Sequence, residues 1–338
     1  MLYSAIRPAL FALDPERAHA WTLRALQVAA VACSTASRAA PIELMGLHFA
    51  NRVGLAAGFD KNALAVDGLS TLGFGFLEVG TVTPRPQPGR PRPRMFRFPD
   101  AEALLNRLGF PNEGAIAVAD RLRRRRYRGI VGVNIGKNAD TPLERAIDDY
   151  LTAFRAVRDV ADYIAINVSS PNTASLRDLQ TRERLLPLLA ALQEERARTP
   201  PRGEGALPLL VKISPDLAPE ELAAIAATVA ELRIDGIIAT NSTVSRALLT
   251  GSVRRQVESA GDGGISGRPL HALALKTVAR LRELLGSSFP IIGVGGIDTP
   301  QAALAMRAAG ADLVQLYTGL VYHGPSLAAR CARALDAD

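Results

Sequence analysis

Asn167-Val168-Ser169-Ser170-Pro171-Asn172 directly follows the apolar run Tyr163-Ile164-Ala165-Ile166. Six residues thus offer two carboxamides and two hydroxyls, fixed by a proline. Carboxamides both donate and accept, so together they can bind a planar, hydrogen-bonding ring, and a hydroxyl is a candidate for proton removal. Ser, Pro and Asn also build ordinary turns, so the hexapeptide alone supports either reading. The pattern recurs, however. Apolar runs empty into Gly58-Phe59-Asp60-Lys61-Asn62, Gly80-Thr81-Val82-Thr83, Asn134-Ile135-Gly136-Lys137-Asn138, Thr240-Asn241-Ser242, Gly295-Gly296 and Tyr317-Thr318-Gly319. Lys212 lies between Val211 and Ile213, where a charge is costly unless an anion or polar ligand meets it. Asn134 and Asn167 close equivalent runs although Asn is depleted in strands.

The elements that must position these groups follow from hydrophobic periodicity. Short apolar runs at 53–57, 76–80, 130–134, 163–167, 209–213, 236–240, 291–294 and 313–316 read as strands. Helical patterns at 143–160, 219–232, 271–285 and 300–309 lie between them. Eight alternations predict an α/β fold, a closed parallel (β/α)8 TIM barrel with helices outside and chemistry at the C-terminal strand ends. An open doubly wound sheet is the rival, but no Gly-x-Gly-x-x-Gly turn follows an early strand. The glycines at 293–296, together with Tyr317-Thr318-Gly319, suit the phosphate site that barrels build after strands seven and eight. Segment 84–111, rich in Pro and Arg with a short strand at 94–98, reads as an excursion above the barrel and a candidate lid. Segments 200–205 and 249–264 read as surface loops.

Composition narrows the function classes. The 338 residues are 48% hydrophobic and 22% charged, as in globular chains. Two cysteines, Cys33 and Cys331, sit at opposite ends, and His19, His48, His271 and His323 are scattered. No disulfide framework and no metal site is therefore expected. The net charge of +7 is concentrated at Arg85, Arg90, Arg92, Arg94 and Arg97 and in the basic stretch 121–128. No nucleic-acid module accompanies them, so an anionic substrate or membrane surface is the better partner. No apolar stretch reaches the ~20 residues of a membrane span. Arg7, Pro8, Asp14, Glu16 and Arg17 interrupt any signal-peptide core, so a reduced cytosolic compartment is the default. Residues 1–40 read as two short amphipathic helices, broken by Pro8 and around Asp14-Pro15. They could close the base or side of the barrel, or lie in a membrane interface.

With these residues assembled, the chain resembles the class 2 dihydroorotate dehydrogenases, the quinone-reducing, membrane-associated family. The resemblance runs nearly end to end. Its most specific blocks are Gly54-Leu55-Ala56-Ala57-Gly58-Phe59-Asp60-Lys61, Gly80-Thr81-Val82-Thr83-Pro84-Arg85-Pro86-Gln87-Pro88-Gly89, Asn106 to Phe110, Asn167 to Asn172 and Ser266-Gly267-Arg268-Pro269-Leu270.

The resemblance implies one FMN per chain, surrounded by Ala57, Gly58, Phe59, Asp60, Lys61, Thr81, Asn134, Asn167, Lys212 and Thr240. Lys212 would stabilise negative charge on the reduced ring, and Gly267, Gly296, Tyr317 and Thr318 would hold the phosphate. It implies substrate contacts at Lys61, Asn106, Arg107, Leu108, Gly109, Phe110, Asn167, Asn172, Asn241 and Ser242, the last standing where threonine is usual. Ser170 matches the family's catalytic base, taking the C5 proton of dihydroorotate as hydride leaves C6 to form orotate. Class 1 enzymes use cysteine there, so serine points to a membrane quinone as acceptor. Residues 1–40 would then be a quinone-tunnel extension to an FMN-binding barrel at 41–338, with His19, Arg97 and Tyr317 on the quinone side. The expected place is the cytoplasmic face of the cell membrane, peripherally bound. The rivals are a flavin-free phosphate-binding barrel, a class 1-type enzyme using fumarate or a nicotinamide, and a non-catalytic binding barrel.

Overall fold

The computed structural model describes residues 2–29, 40–198 and 205–337. The strands, in chain order, are β1 (Ile42–Leu44), β2 (Leu47–Phe49), β3 (Val53–Leu55), β4 (Phe76–Val82), β5 (Met95–Phe98), β6 (Ala103–Asn106), β7 (Ile130–Ile135), β8 (Tyr163–Asn167), β9 (Leu209–Ile213), β10 (Gly236–Ala239), β11 (Gly264–Gly267), β12 (Ile291–Val294) and β13 (Leu313–Leu316). Eight of them close a parallel barrel in the order β3-β4-β7-β8-β9-β10-β12-β13, the (β/α)8 architecture expected. Helices Ala146–Val157, Pro219–Glu231, His271–Leu285 and Pro300–Ala308 lie where the periodicity placed them.

Both faces of the barrel strands are apolar for different reasons. Leu77, Val79, Ile164, Ile166 and Val211 pack outward in the core shared with the helices. Phe76, Tyr163, Ala165, Leu210, Ile238, Ile292 and Leu313 belong to a second cluster that Phe49 joins from the β1–β2 hairpin. Phe49 and Phe76 meet edge to face at 5.1 Å, a favoured aromatic geometry. Polar residues stand at the C-terminal ends of the barrel strands, on the rim away from this cluster. Parallel register there pairs Gly80 with Asn134 and Asn167 with Lys212.

Segment 84–111 crosses this rim. Its strands β5 and β6 pair antiparallel, and β11 adds to the free edge of β6. Both ends of the segment are pinned. Gln87 and Asn112 exchange backbone hydrogen bonds at 2.9 and 3.0 Å, and Asn112 Nδ2 donates to Thr83 Oγ1 at 2.8 Å.

Two expectations need correction. Segment 249–264 is not a loop: it holds the helix Gly251–Ala260 and reaches the start of β11. Val253, Val257 and Ala260 carry the helical i, i+4, i+7 spacing and pack with Phe98, Leu105 and Ile265 under the three-stranded sheet. Flanking glycines obscured that signal. Pro8 does not break the first helix either. Helix α1 (Leu2–Ala12) runs through it, and the only interruption precedes α2 (Pro15–Ala29). Tertiary docking offsets the helical bond that proline cannot make: Tyr3 Oη donates to the Val321 carbonyl at 2.5 Å, Arg7 to the Tyr322 carbonyl at 3.0 Å, and Phe11 packs edge-on against Tyr322. Asp14 Oδ1 caps α2 by accepting from the Glu16 and Arg17 N–H groups. Of the loop expected at 200–205, residues 200–204 lie outside the described residues, as does Cys33.

Candidate active site

One cavity opens at the polar rim, enclosing about 970 Å³ that includes some open solvent. Of the flavin residues implied by the resemblance, Ala57, Gly58, Lys61, Thr81, Asn167, Lys212, Thr240, Gly267, Gly296, Tyr317 and Thr318 line it. So do Ser170 and the substrate candidates Asn106, Leu108, Gly109, Phe110, Asn172, Asn241 and Ser242. These groups come from the ends of seven barrel strands, from the excursion and from β11.

Four expected residues stand outside the wall. Asn134 is one bond behind it, accepting from Thr81 Oγ1 at 2.5 Å and from Asn167 Nδ2 at 3.1 Å. Asp60 turns into its own loop, accepting from the Leu64 and Ala65 N–H groups at 2.8 and 2.7 Å. Burial raises its carboxyl pKa, and those backbone bonds oppose the shift. Phe59 packs edge-on against both Tyr317 and His19. Arg107 sends its guanidinium away to the Ala260 and Asp262 carbonyls and over the Phe96 ring.

On the N-terminal side, His19, Phe59 and Tyr317 form a chain of rings with centroids 5.1 and 5.7 Å apart. It runs from α2 to the cavity wall. Burial, with Lys61 adding repulsion, lowers His19 to a pKa of about 4 against the opposing bond to the Phe59 backbone. Its ring is therefore neutral near pH 7. Burial pushes the Tyr317 phenol up to about 12, which keeps its proton in place to donate to the Gly58 carbonyl at 3.3 Å. Arg97 does not join this row. Its guanidinium donates to the Leu10, Phe11 and Leu13 carbonyls at the end of α1 and lies over the Phe11 ring, a cationic cap on a helix C-terminus.

The cavity wall is directional. Asn167 Nδ2 donates to Thr81 Oγ1 at 2.8 Å, while its Oδ1 accepts from the Ser169 N–H and from Asn241 Nδ2. Ser170 is buried, and its Oγ accepts from the Asn172 N–H at 3.3 Å. No carboxylate or histidine bonds to it among the described residues. Lys61 Nζ donates to the Gly58 carbonyl at 2.5 Å. Burial draws its pKa down to about 8; Glu16 opposes this and Arg94 adds to it.

Sequence reasoning missed several groups. Glu78 is fully buried in the barrel and bonded to Asn134, Tyr163, Gln315 and Lys212. A single Glu in an apolar run was the available signal. Arg177 ties the Ser170 loop down, donating to the Ser169 and Ser242 carbonyls and pairing with Asp216 at 2.8 Å. Its position 65 residues from Ser242 left no local trace.

Two orphaned acceptors show what the cavity would take. Asn172 Oδ1 and Gln315 Oε1 are buried and unpartnered, and both residues line the wall. Buried acceptors call for donors, so a ring bearing N–H groups fits. Elsewhere in the wall a Cβ on Gly267 would fall 2.2 Å from the Glu102 carbonyl, and one on Gly296 would fall 2.7 Å from His271 Cβ. Only glycine lets the backbone close in there, leaving a cradle of main-chain groups.

Comparison with known proteins agrees with this geometry. The family model described as "Dihydroorotate dehydrogenase" matches residues 40–338. The chain is 49% identical to a protein of Aromatoleum aromaticum named dihydroorotate dehydrogenase (quinone), across 99% of this chain and 95% of that one. It is 51% identical to a Burkholderia multivorans protein of the same name, across 99% and 97%. A crystal structure titled as DHODH from Eimeria tenella in complex with ferulenol superposes with a TM-score of 0.88 at 37% identity, covering 97% of this chain and 93% of that one.

Proposed function

The chain belongs to the dihydroorotate dehydrogenase family, and on that premise we propose that it oxidises dihydroorotate to orotate on a bound FMN and passes the electrons to a membrane quinone. One observation carries the reading: two lysines, five carboxamides and Ser170 converge on a single cavity whose wall includes a glycine cradle. Ala57, Gly58, Thr81, Asn167, Lys212 and Thr240 would hold the flavin ring, and Gly267, Gly296 and Thr318 its phosphate. When bound, the flavin supplies the two-electron acceptor for the hydride at C6.

The chain's own residues do the rest. Asn106, Asn167, Asn172 and Asn241 orient a planar ring by offering donors and acceptors at fixed positions. Lys61 supplies the cation for a substrate carboxylate, and the Ser170 hydroxyl takes the C5 proton. The Lys212 ammonium stabilises negative charge that gathers on the ring. Phe110 and Leu108 from the excursion cover the cavity and exclude water.

For the second half-reaction, α1 and α2 pack beside the His19–Phe59–Tyr317 row and expose Ile6, Leu13, Trp21 and Val28. An apolar outer face with an aromatic ring at its edge suits a headgroup boundary. No described helix is long and apolar enough to cross a membrane, so the attachment would be peripheral, on the cytoplasmic face. Arg97, which holds the end of α1, would frame the quinone side together with His19 and Tyr317.

The test is direct. The purified protein should be yellow, release FMN on denaturation at one per chain, and bleach anaerobically when dihydroorotate is added. Turnover should follow with a quinone and not with fumarate or a nicotinamide. A colourless protein, or a flavin that dihydroorotate leaves oxidised, would sink the proposal.

A further inference from the structure

Glu78 is a carboxylate sealed in the barrel, one residue behind the cavity. Its Oε1 accepts from Asn134 Nδ2 at 2.9 Å and faces Lys212 Nζ at 3.5 Å. Its Oε2 accepts from Tyr163 Oη at 2.9 Å and from Gln315 Nε2 at 2.7 Å. Amide nitrogens and an ammonium are donors only, so both oxygens act as acceptors. Phe76, two residues earlier on the same strand, is also fully buried and seals the side away from the rim. A charge here is costly unless paired, and nothing in barrel packing calls for one.

Two consequences reach the cavity. Glu78 draws the Asn134 amide nitrogen inward, which turns Asn134 Oδ1 to accept from Thr81 and Asn167. It also places a negative charge against Lys212, the cation of the cavity floor. We propose that Glu78 is a positioning residue that partly neutralises Lys212 and so keeps the potential of the bound flavin low enough for its electrons to move on to the second acceptor.

The sign follows from Coulomb's law. Negative charge gathers on the ring at reduction, and a carboxylate behind Lys212 opposes it. Removing that charge favours the reduced ring. The inference rests on the reading of this cavity as a flavin site.

Anaerobic redox titration of the flavin-loaded protein against a reference dye tests it. Glu78→Gln should raise the midpoint potential, with at least a tenfold increase in the ratio of reduced to oxidised flavin at fixed potential, about 30 mV for a two-electron couple. Glu78→Asp keeps the charge and should stay near the parent. A Glu78→Gln protein with full flavin content and the parent's potential would overturn the proposal. Should that variant not fold, the unsubstituted holoenzyme labelled with carboxyl-13C glutamate serves instead. Its reduced-minus-oxidised infrared difference spectrum should contain a shifted carboxylate band, and its absence would equally overturn the idea. A parent protein isolated without flavin is a different failure, that of the proposed function.

Discussion

The Asn172 carboxamide nitrogen donates to Asn106 Oδ1 at 3.0 Å, joining the loop after β8 to the last residue of β6. One bond thus spans the mouth of the cavity between the barrel and its excursion, and it leaves Asn172 Oδ1 buried and unpartnered. Latch and orphan belong to the same side chain. A ligand that satisfies the orphan also holds the latch in register.

Asn172→Ala should therefore weaken substrate binding more than chemistry. Losing one buried hydrogen-bond partner and the latch predicts a KM for dihydroorotate higher by roughly ten- to hundredfold, with FMN content unchanged. Steady-state kinetics beside a flavin absorbance spectrum decides it. A KM within twofold of the parent's would show that the amide does not meet the substrate.

Ser170→Ala removes the hydroxyl proposed to take the C5 proton. Flavin reduction by dihydroorotate in a stopped-flow mixing experiment should slow by about 10²-fold or more, while the protein stays yellow. Reduction at the parent's rate would exclude Ser170 as the base.

Lys61 sets a pH limit. Its pKa in the ligand-free protein is about 8, lowered chiefly by burial, so the ammonium is present below pH 8 and lost above it. If that charge binds the substrate carboxylate, KM should be flat up to about pH 7.5 and then rise toward tenfold per pH unit. Lys61→Met should show a high KM without this rise. A parent KM constant from pH 7 to 9.5 would remove Lys61 from substrate binding.

Deleting residues 1–40 should separate the half-reactions. The site's polar groups come from the barrel and the excursion, so bleaching by dihydroorotate should survive. Reoxidation by a long-chain quinone should fall by an order of magnitude or more, since α1 and α2 carry His19 and the exposed apolar face. Equal quinone turnover in the shortened protein would end the tunnel reading.

The alternation of apolar runs and helical patterns by itself pointed to a parallel sheet covered by helices, and the eight repeats without an early Gly-x-Gly-x-x-Gly turn favoured the closed barrel over the open doubly wound rival. It also placed Asn167, Lys212 and Ser170 at one rim, since polar residues at the ends of parallel strands share a destination. The resemblance supplied their roles. What only the tertiary structure decided are relationships between distant residues. Helix Gly251–Ala260 forms because Val253 and Val257 find the underside of a sheet built from two separated segments. Helix α1 survives Pro8 because Tyr3, Arg7 and Phe11 dock on the segment 318–323. Arg97 was drawn to α1 by three free carbonyls that local sequence does not reveal. Glu78 gained its place because closing the barrel brings Asn134, Tyr163, Lys212 and Gln315 around one carboxylate. Periodicity reports which face a residue takes; the partners it meets there depend on register and closure.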